Sequence, residues 1–175
     1  IDAVVVDNAE KSGMQNGRIF PYGEKKNWWS RAGVPDAMPI GEIGGADTEM
    51  FWDYGSQLQL HEQSQYKDTP CHVNCDCGRF MEIGNNVFME YLKEKDGTFT
   101  KLPKRNIDFG GGLERLILAT ENQSDVFQTS LFAPIIKSIE EATSKSYKEN
   151  PRDMRIIADH FTAALFIILN NVTPS

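Results

Sequence analysis

The segment with the most chemistry in it is Asp108-Phe109-Gly110-Gly111-Gly112-Leu113-Glu114-Arg115. Three consecutive glycines let another molecule approach the backbone closely. Leu113, Leu116, Ile117 and Ala119 recur at helical spacing, which predicts a helix from about Gly111 to Thr120. A helix N-terminus favours an anion. Asp108 precedes the glycines and has the charge to hold an ammonium group. Arg115, one turn into the helix, offers a planar fork to a phosphate. A carboxylate before the glycines and a guanidinium after them suit a ligand that is cationic at one end and polyanionic at the other. An amino acid beside ATP has that shape. A tight turn with a surface ion pair would use the same residues, so both readings stand at this level.

A second cluster reads Cys71-His72-Val73-Asn74-Cys75-Asp76-Cys77 and holds all three cysteines of the chain. An odd, clustered set is not a secreted disulfide framework; it reads as reduced thiols in a cytosol. Thiolates and imidazole also suit a structural Zn²⁺, with Cys71, His72, Cys75 and Cys77 as ligands or His61 in place of His72. The Cys-x3-Cys-x-Cys spacing is not that of a standard finger, so unliganded thiols and a zinc site both remain open. Glu49 and Asp53 are two strand steps apart and share a face. They either bind a nucleotide and its metal or are hydrogen-bonded strand residues. Alternation at Trp28-Trp29 buries one indole and frees the other. Lys101, Lys104 and Arg105 read as a solvated face.

The elements that must position these residues follow from pattern. Strands are predicted at Val4–Val6, Arg18–Phe20 and Thr48–Asp53, then over a long stretch from Arg79 to Leu92 with a bulge at Gly84. Asp96-Gly97 signals a hairpin turn into a strand at Thr98–Leu102. Residues 8–17, 33–45 and 54–78 read as loops. Two more helices are predicted, at about 131–144 and about 154–171, with a polar linker between. The second half of the last helix, Ala163 to Leu169, is apolar almost all round and is expected to be buried. Strands first and helices after give an α+β domain with a mostly antiparallel sheet.

Composition bounds the function. The chain has 175 residues, 40% hydrophobic and 25% charged, as in an ordinary globular domain. Eighteen Lys and Arg against 25 Asp and Glu leave a net charge of −7. That argues against a self-sufficient nucleic-acid binder. No apolar run is long enough to span a membrane.

Gly-Gly-Gly-Leu-Glu-Arg after a strand resembles motif 3 of the class II aminoacyl-tRNA synthetases. The wider context resembles the alanyl-tRNA synthetase family, which shows Asp-Thr-Gly-Met-Gly-Leu-Glu-Arg here. Asp108, Gly110, Gly112, Leu113, Glu114 and Arg115 match, while Phe109 and Gly111 differ. Asn27-Trp28-Trp29 is similar to the family's Asn-Phe-Trp. Gly45 to Asp53 resembles Gly-Pro-Cys-Thr-Glu-Ile-Phe-Tyr-Asp. Glu82 to Met89 resembles Glu-Ile-Trp-Asn-x-Val-Phe-Met, with Gly84 in place of the tryptophan. Asp96-Gly97-Thr98 and Leu102-Pro103-Lys104 match the hairpin that follows, Ser124 to Phe132 matches weakly, and Ile156 to Ser175 resembles the first helix of the tRNA-recognition region.

The resemblance implies an antiparallel class II synthetase sheet flanked by helices, with motifs 1 and 2 expected before Ile1. Residues 1–146 would be the C-terminal part of the catalytic domain, and 147–175 the start of the helical tRNA-recognition region. The implied reaction is ATP-dependent ligation of alanine to tRNA(Ala), with Mg²⁺ accompanying ATP, in the cytoplasm. The partners are alanine, ATP, tRNA(Ala) and the rest of the synthetase chain; the fragment alone is expected to be inactive. Asp108 would hold the alanine ammonium, with Asn85 and Val87 bordering its pocket, Gly110 leaving room and Trp29 forming a wall. Arg115 and Gly112 would meet ATP, with Glu49 beside them. No protein nucleophile is implied. Read from its neighbours Asp159 and Arg155 alone, His160 either faces tRNA or is a helix-surface or capping residue. The rival reading is a non-catalytic synthetase-like module that binds an amino acid or adenylate, or a zinc-stabilised interaction domain.

Overall fold

The computed structural model describes residues 9–13 and 17–172. The strand expected at Val4–Val6 lies outside them. The chain divides into two compact units, with the division between Arg115 and Leu116.

The first unit is built on one antiparallel sheet of β1 (Trp28–Ser30), β2 (Ile43–Asp53), β3 (Phe80–Lys93) and β4 (Phe99–Gly110), in that spatial order. A short helix, α1 (Ala9–Ser12), stands where the pattern predicts loop, and Arg18–Phe20 forms no strand. β3 and β4 are joined by the expected tight turn. Gly97 N–H bonds Glu94 O at 3.0 Å, and Gly97 sits at φ +84°, where a side chain is strained.

Two strands are longer than their patterns. β2 begins at Ile43 rather than Thr48, and β4 runs to Gly110 rather than Leu102. Gly44-Gly45 looks like loop in sequence. In the sheet a Cβ on Gly45 would fall against the Phe88 carbonyl oxygen, so only glycine lets β2 lie this close to β3. β4 is exposed along nearly its whole length, so it carries no apolar alternation to read. The bulge expected at Gly84 is present: Met50 pairs with Gly84 and Phe51 with Glu82, leaving Ile83 unopposed.

α2 (Leu113–Glu121) begins directly after the glycines and its body lies in the second unit. That unit also holds α3 (Ala133–Thr143) and α4 (Pro151–Leu169). Both start with Pro in their first turn, where its fixed φ and missing N–H cost nothing. α3 stops at Ser144 in the left-handed conformation. Ile136, Tyr147, Met154 and Ala158 form the core, with Phe127, Ile135 and Ile139 packed against it. This core takes residues from both sides of position 146/147. The second half of α4 departs from expectation: Phe161, Phe166, Ile168 and Leu169 are 60–66% exposed. The buried residues of α4 are Met154 and Ala158, both in its first half. With all the strands in the first unit and α3, α4 and the body of α2 in the second, the α+β expectation holds.

Candidate active site

Strand register brings the distant sequence signals together. Val87 on β3 pairs with Asp47 on β2 and with Asp108 on β4. Two residues earlier, Asn85 pairs with Glu49 and with Gly110. Residues directly opposite in a sheet share a face, and residues two apart share it too. Asp47, Val87 and Asp108 therefore form one cross-strand row, and Glu49, Asn85 and Gly110 the next. Both rows line a cleft of about 530 Å³, together with Trp28, Trp29, Lys26 and Glu82.

The cleft's polar groups are incompletely satisfied. Asn85 Nδ2 donates to Asp47 Oδ2 at 2.9 Å. Among the described residues, the buried side-chain nitrogens and oxygens with no hydrogen-bond partner are Asp47 Oδ1, Asn85 Oδ1 and Trp28 Nε1. All three residues line this cleft. Buried polar atoms are nearly always paired, so such a cluster marks a place where another molecule supplies the partners. Asp47 is only 7% exposed, and burial pushes its carboxyl above the usual carboxylate range despite the bond from Asn85. Burial raises Glu49 as well, and the charges of Glu82 and Asp47 push it further. Two desolvated carboxylates and a free amide oxygen favour a cationic donor.

Other expected site residues take defined places. Asp108 is exposed, and its Oδ1 accepts from Phe109 N at 3.0 Å. The space over Gly110 is open, since a Cβ there would meet nothing within 4 Å. Trp28 stacks on Tyr91 with ring centres 5.9 Å apart, leaving Trp29 the freer indole at 38% exposure. Arg115 reaches back from α2 to β3, donating to the Glu82 carboxylate at 3.0 Å and its carbonyl at 3.2 Å. Its stem fills the space beside Gly112.

Two of the departures from the family spelling, Gly84 and Phe109, explain each other. A Cβ on Gly84 would lie 2.9–3.0 Å from the Phe109 ring and the Met50 methyl. The Phe109 ring occupies the space that a larger residue at position 84 would need. Gly84 and Phe109 alternate away from the face that carries Asn85 and Asp108, so this exchange leaves the two polar rows intact.

Asp53 does not join the cleft carboxylates. Arg79 holds both its oxygens at 2.8 Å, and Gly55 N–H donates to Oδ1. Burial acts to raise the Asp53 carboxyl, but the Arg79 and Gly55 bonds win and leave it below the usual range. Of the two readings for Asp53, the hydrogen-bonded strand residue holds.

In the cysteine segment, His72 Nδ1 bonds the Tyr22 hydroxyl at 2.8 Å, while His61 Nδ1 lies 3.6 Å from Cys75 Sγ.

Sequence reading missed Asp47. Its signal was weak, because it stands one residue ahead of the matched Thr48-Glu49, where the family spelling has cysteine. Period-two alternation with Glu49 was the available clue.

Comparison with known proteins agrees with this geometry. Residues 7–175 match the family model of the class II (A) tRNA synthetases. The chain is 37% identical over 173 residues to an alanine–tRNA ligase of Borrelia hermsii, covering 95% of this chain and 26% of that protein. It is 38% identical over 169 residues to one of Desulfosudis oleivorans, covering 95% of this chain and 18% of that one. A Treponema denticola alanine–tRNA ligase is 37% identical over 164 residues, with 91% of this chain and 25% of that one covered. The chain thus spans a quarter or less of the length of some of its relatives. The residues that pattern singled out, the sheet that aligns them and a family match over nearly the whole length agree, and the chain belongs to the class II (A) tRNA synthetases.

Proposed function

We propose that the chain is the part of an alanine–tRNA ligase that holds alanine and ATP while alanyl-adenylate forms. The observation that carries this reading is the cluster of unpartnered buried atoms in the cleft beside Asp108. An ammonium brings three donors and no acceptor. Asp47 Oδ1, Asn85 Oδ1 and the Asp108 carboxylate offer it acceptors. Val87 and Gly110 bound a space suited to a methyl side chain, and Trp29 closes one side.

The reaction is attack of the alanine carboxylate on the α-phosphorus of ATP, with pyrophosphate leaving. Positioning and charge stabilisation are enough, and no protein nucleophile is needed. Arg115 exchanges its contact with Glu82 for a phosphate oxygen. Gly112, at the N-terminus of α2, lets the nucleotide approach the backbone. Mg²⁺ accompanies ATP and neutralises its phosphates; the carboxylate oxygens of Glu49 and Glu82 are the hard donors such an ion takes. Transfer to tRNA(Ala) belongs to the whole synthetase chain, acting in the cytoplasm. Residues 147–175 begin its helical tRNA-recognition region. No described helix is long and apolar enough to cross a membrane.

The test is alanine-dependent ATP–pyrophosphate exchange by the full natural chain, beside its Asp108→Ala variant. Exchange with alanine that the variant loses supports the reading. Exchange with another amino acid keeps the class and overturns the substrate. No exchange from folded protein leaves a synthetase-like binding module.

A further inference from the structure

The connection 54–79 between β2 and β3 contains one short 3-10 turn, Ser56–Leu58, and no strand. A segment of that length needs an anchor of its own to stay ordered beside a sheet. It buries three groups with metal-binding chemistry: His61 at 6% exposure, Cys75 at 7% and Cys77 at 8%. Cys71 is partly buried beside them.

These side chains converge. The ligand atoms of His61, Cys71 and Cys77 all lie within 4.8 Å of one another. Cys75 Sγ is 3.6 Å from His61 Nδ1. In a tetrahedral zinc site with bonds of about 2.0–2.3 Å, ligand atoms sit roughly 3.5–3.8 Å apart, so a small inward movement suffices. The imidazole is already oriented. His61 Nε2 bonds the Thr69 carbonyl at 2.9 Å, which fixes the proton on Nε2 and turns the Nδ1 lone pair to the thiols. A backbone carbonyl on the far nitrogen is the usual outer partner of a metal-bound histidine. The backbone is shaped for the purpose as well. Cys75 N–H bonds His72 O at 2.9 Å, and Gly78 at φ +87° turns the chain into β3 after the last cysteine.

We infer that His61, Cys71, Cys75 and Cys77 form a structural Zn²⁺ site that fastens the connection 54–79 beside the sheet. Three thiolates and one imidazole fill a tetrahedron, so no position is open for substrate and the ion does no catalysis. Its effect is to hold the 71–77 knuckle, whose Asn74 lines the cleft beside Asp47 and Glu49. The site depends on the ligand geometry alone and does not rest on the alanine reading.

The first test is chemical labelling of the full natural chain, purified with zinc and without chelator. Cys71, Cys75 and Cys77 should resist alkylation, mapped by mass spectrometry, and should label together once a strong chelator removes zinc. Equal labelling with and without zinc overturns the site. The second test is metal content. His61→Ala and the Cys75→Ser/Cys77→Ser pair should each lose one equivalent of zinc relative to the parent, while His72→Ala keeps it. Loss in His72→Ala with retention in His61→Ala refutes this ligand set. Co²⁺ in place of zinc should give the thiolate charge-transfer band of a tetrahedral site, and its absence from the wild-type protein counts against the proposal without any variant having to fold.

Discussion

Two sheltered aspartates, one in each unit, have opposite surroundings. Asp47 in the sheet unit keeps one oxygen without a partner, and burial raises its carboxyl. Asp125 in the helical unit is fully engaged. It accepts from Phe127 N–H at 3.1 Å, from the Tyr147 hydroxyl at 2.6 Å and from Arg155 at 2.7 Å. Burial acts to raise it too, but the bonds from Tyr147, Arg155 and Phe127 outweigh that and leave it below the usual range. Arg155 Nε also donates to the Tyr147 hydroxyl at 2.7 Å. Asp125 thus ties the turn Val126–Gln128 to α4 and needs nothing from outside. On the function proposed above, the difference separates a carboxylate that builds the fold from one that awaits a ligand. The folding group is neutralised by its own chain, whereas the binding group is left desolvated and unpaired at the expense of stability.

The comparison is broken most directly at Asp47. In the full natural chain, Asp47→Asn should lower kcat/KM for alanine in the exchange reaction by roughly 10²–10³-fold. Truncating one partner of a buried charge pair costs about 2–5 kcal/mol. The same substitution should leave stability at neutral pH unchanged or higher, because it removes a desolvated charge. Asp47 has a raised pKa in the fold. Its contribution to stability is fully present below the unfolded value of about 3.9 and is lost as pH rises through the folded one. Denaturation against pH should therefore show stability falling as pH rises above about 3.9, and Asp47→Asn should reduce that fall. Weakened catalysis together with weakened stability would make Asp47 a structural residue like Asp125.

How far the sequence foretold this contrast differs between the units. Asp108, Asn85, Val87, Gly110 and Arg115 were legible because each sits in a short string with a fixed order of types. Asp47 was not, because its role depends on facing Val87 across β2 and β3, a register that no local spacing encodes. β2's early start was hidden by Gly44-Gly45, which pattern assigns to loop and close packing requires. Most of β4 was hidden for the opposite reason: it is exposed on both faces, so burial imposes no alternation. In the helical unit the three long helices were plain from apolar spacing, but the Asp125–Tyr147–Arg155 network was not. Its members are 22 and 30 positions apart and carry no motif. For the proposed metal ligands the cluster of cysteines was visible, and the preference for His61 over His72 rests on bonds to Thr69 and Tyr22 that no spacing encodes.

The next effect in size is at Asp125. Asp125→Asn should destabilise the chain by about 2–3 kcal/mol in denaturant titration, the scale of hydrogen bonds to a charged group with partners left behind. The pH signature has the opposite sign to that of Asp47. A lowered folded pKa gives stability that is present above about 3.9 and lost as pH falls through the folded value. Asp125→Asn should flatten the loss below about 3.9 while leaving the fall above it in place. A variant that lowered alanine exchange without lowering stability would mean that the network serves the reaction rather than the fold.

The smallest effect sharpens the comparison by holding the strand constant. Asp53 lies on β2 with Asp47 and Glu49, and alternation puts all three on one face. What differs is the partner: Arg79 takes both Asp53 oxygens, while no side chain takes Asp47 Oδ1. Asp53 is 42% exposed, so water screens the pair and its worth is about 0.5–1 kcal/mol, at the upper end for a surface ion pair because the fork is bidentate. Asp53→Asn should therefore cost no more than that in stability and leave kcat and KM for alanine within about twofold. Raising salt should shrink the stability difference further, since exposed charges are screened within about 10 Å at 0.1 M. If Asp53→Asn instead raised the KM for ATP by tenfold or more, Arg79 would not be its working partner. The carboxylates of β2 would then act as one cation-binding row, and an unpaired oxygen would cease to be the mark of the ligand site.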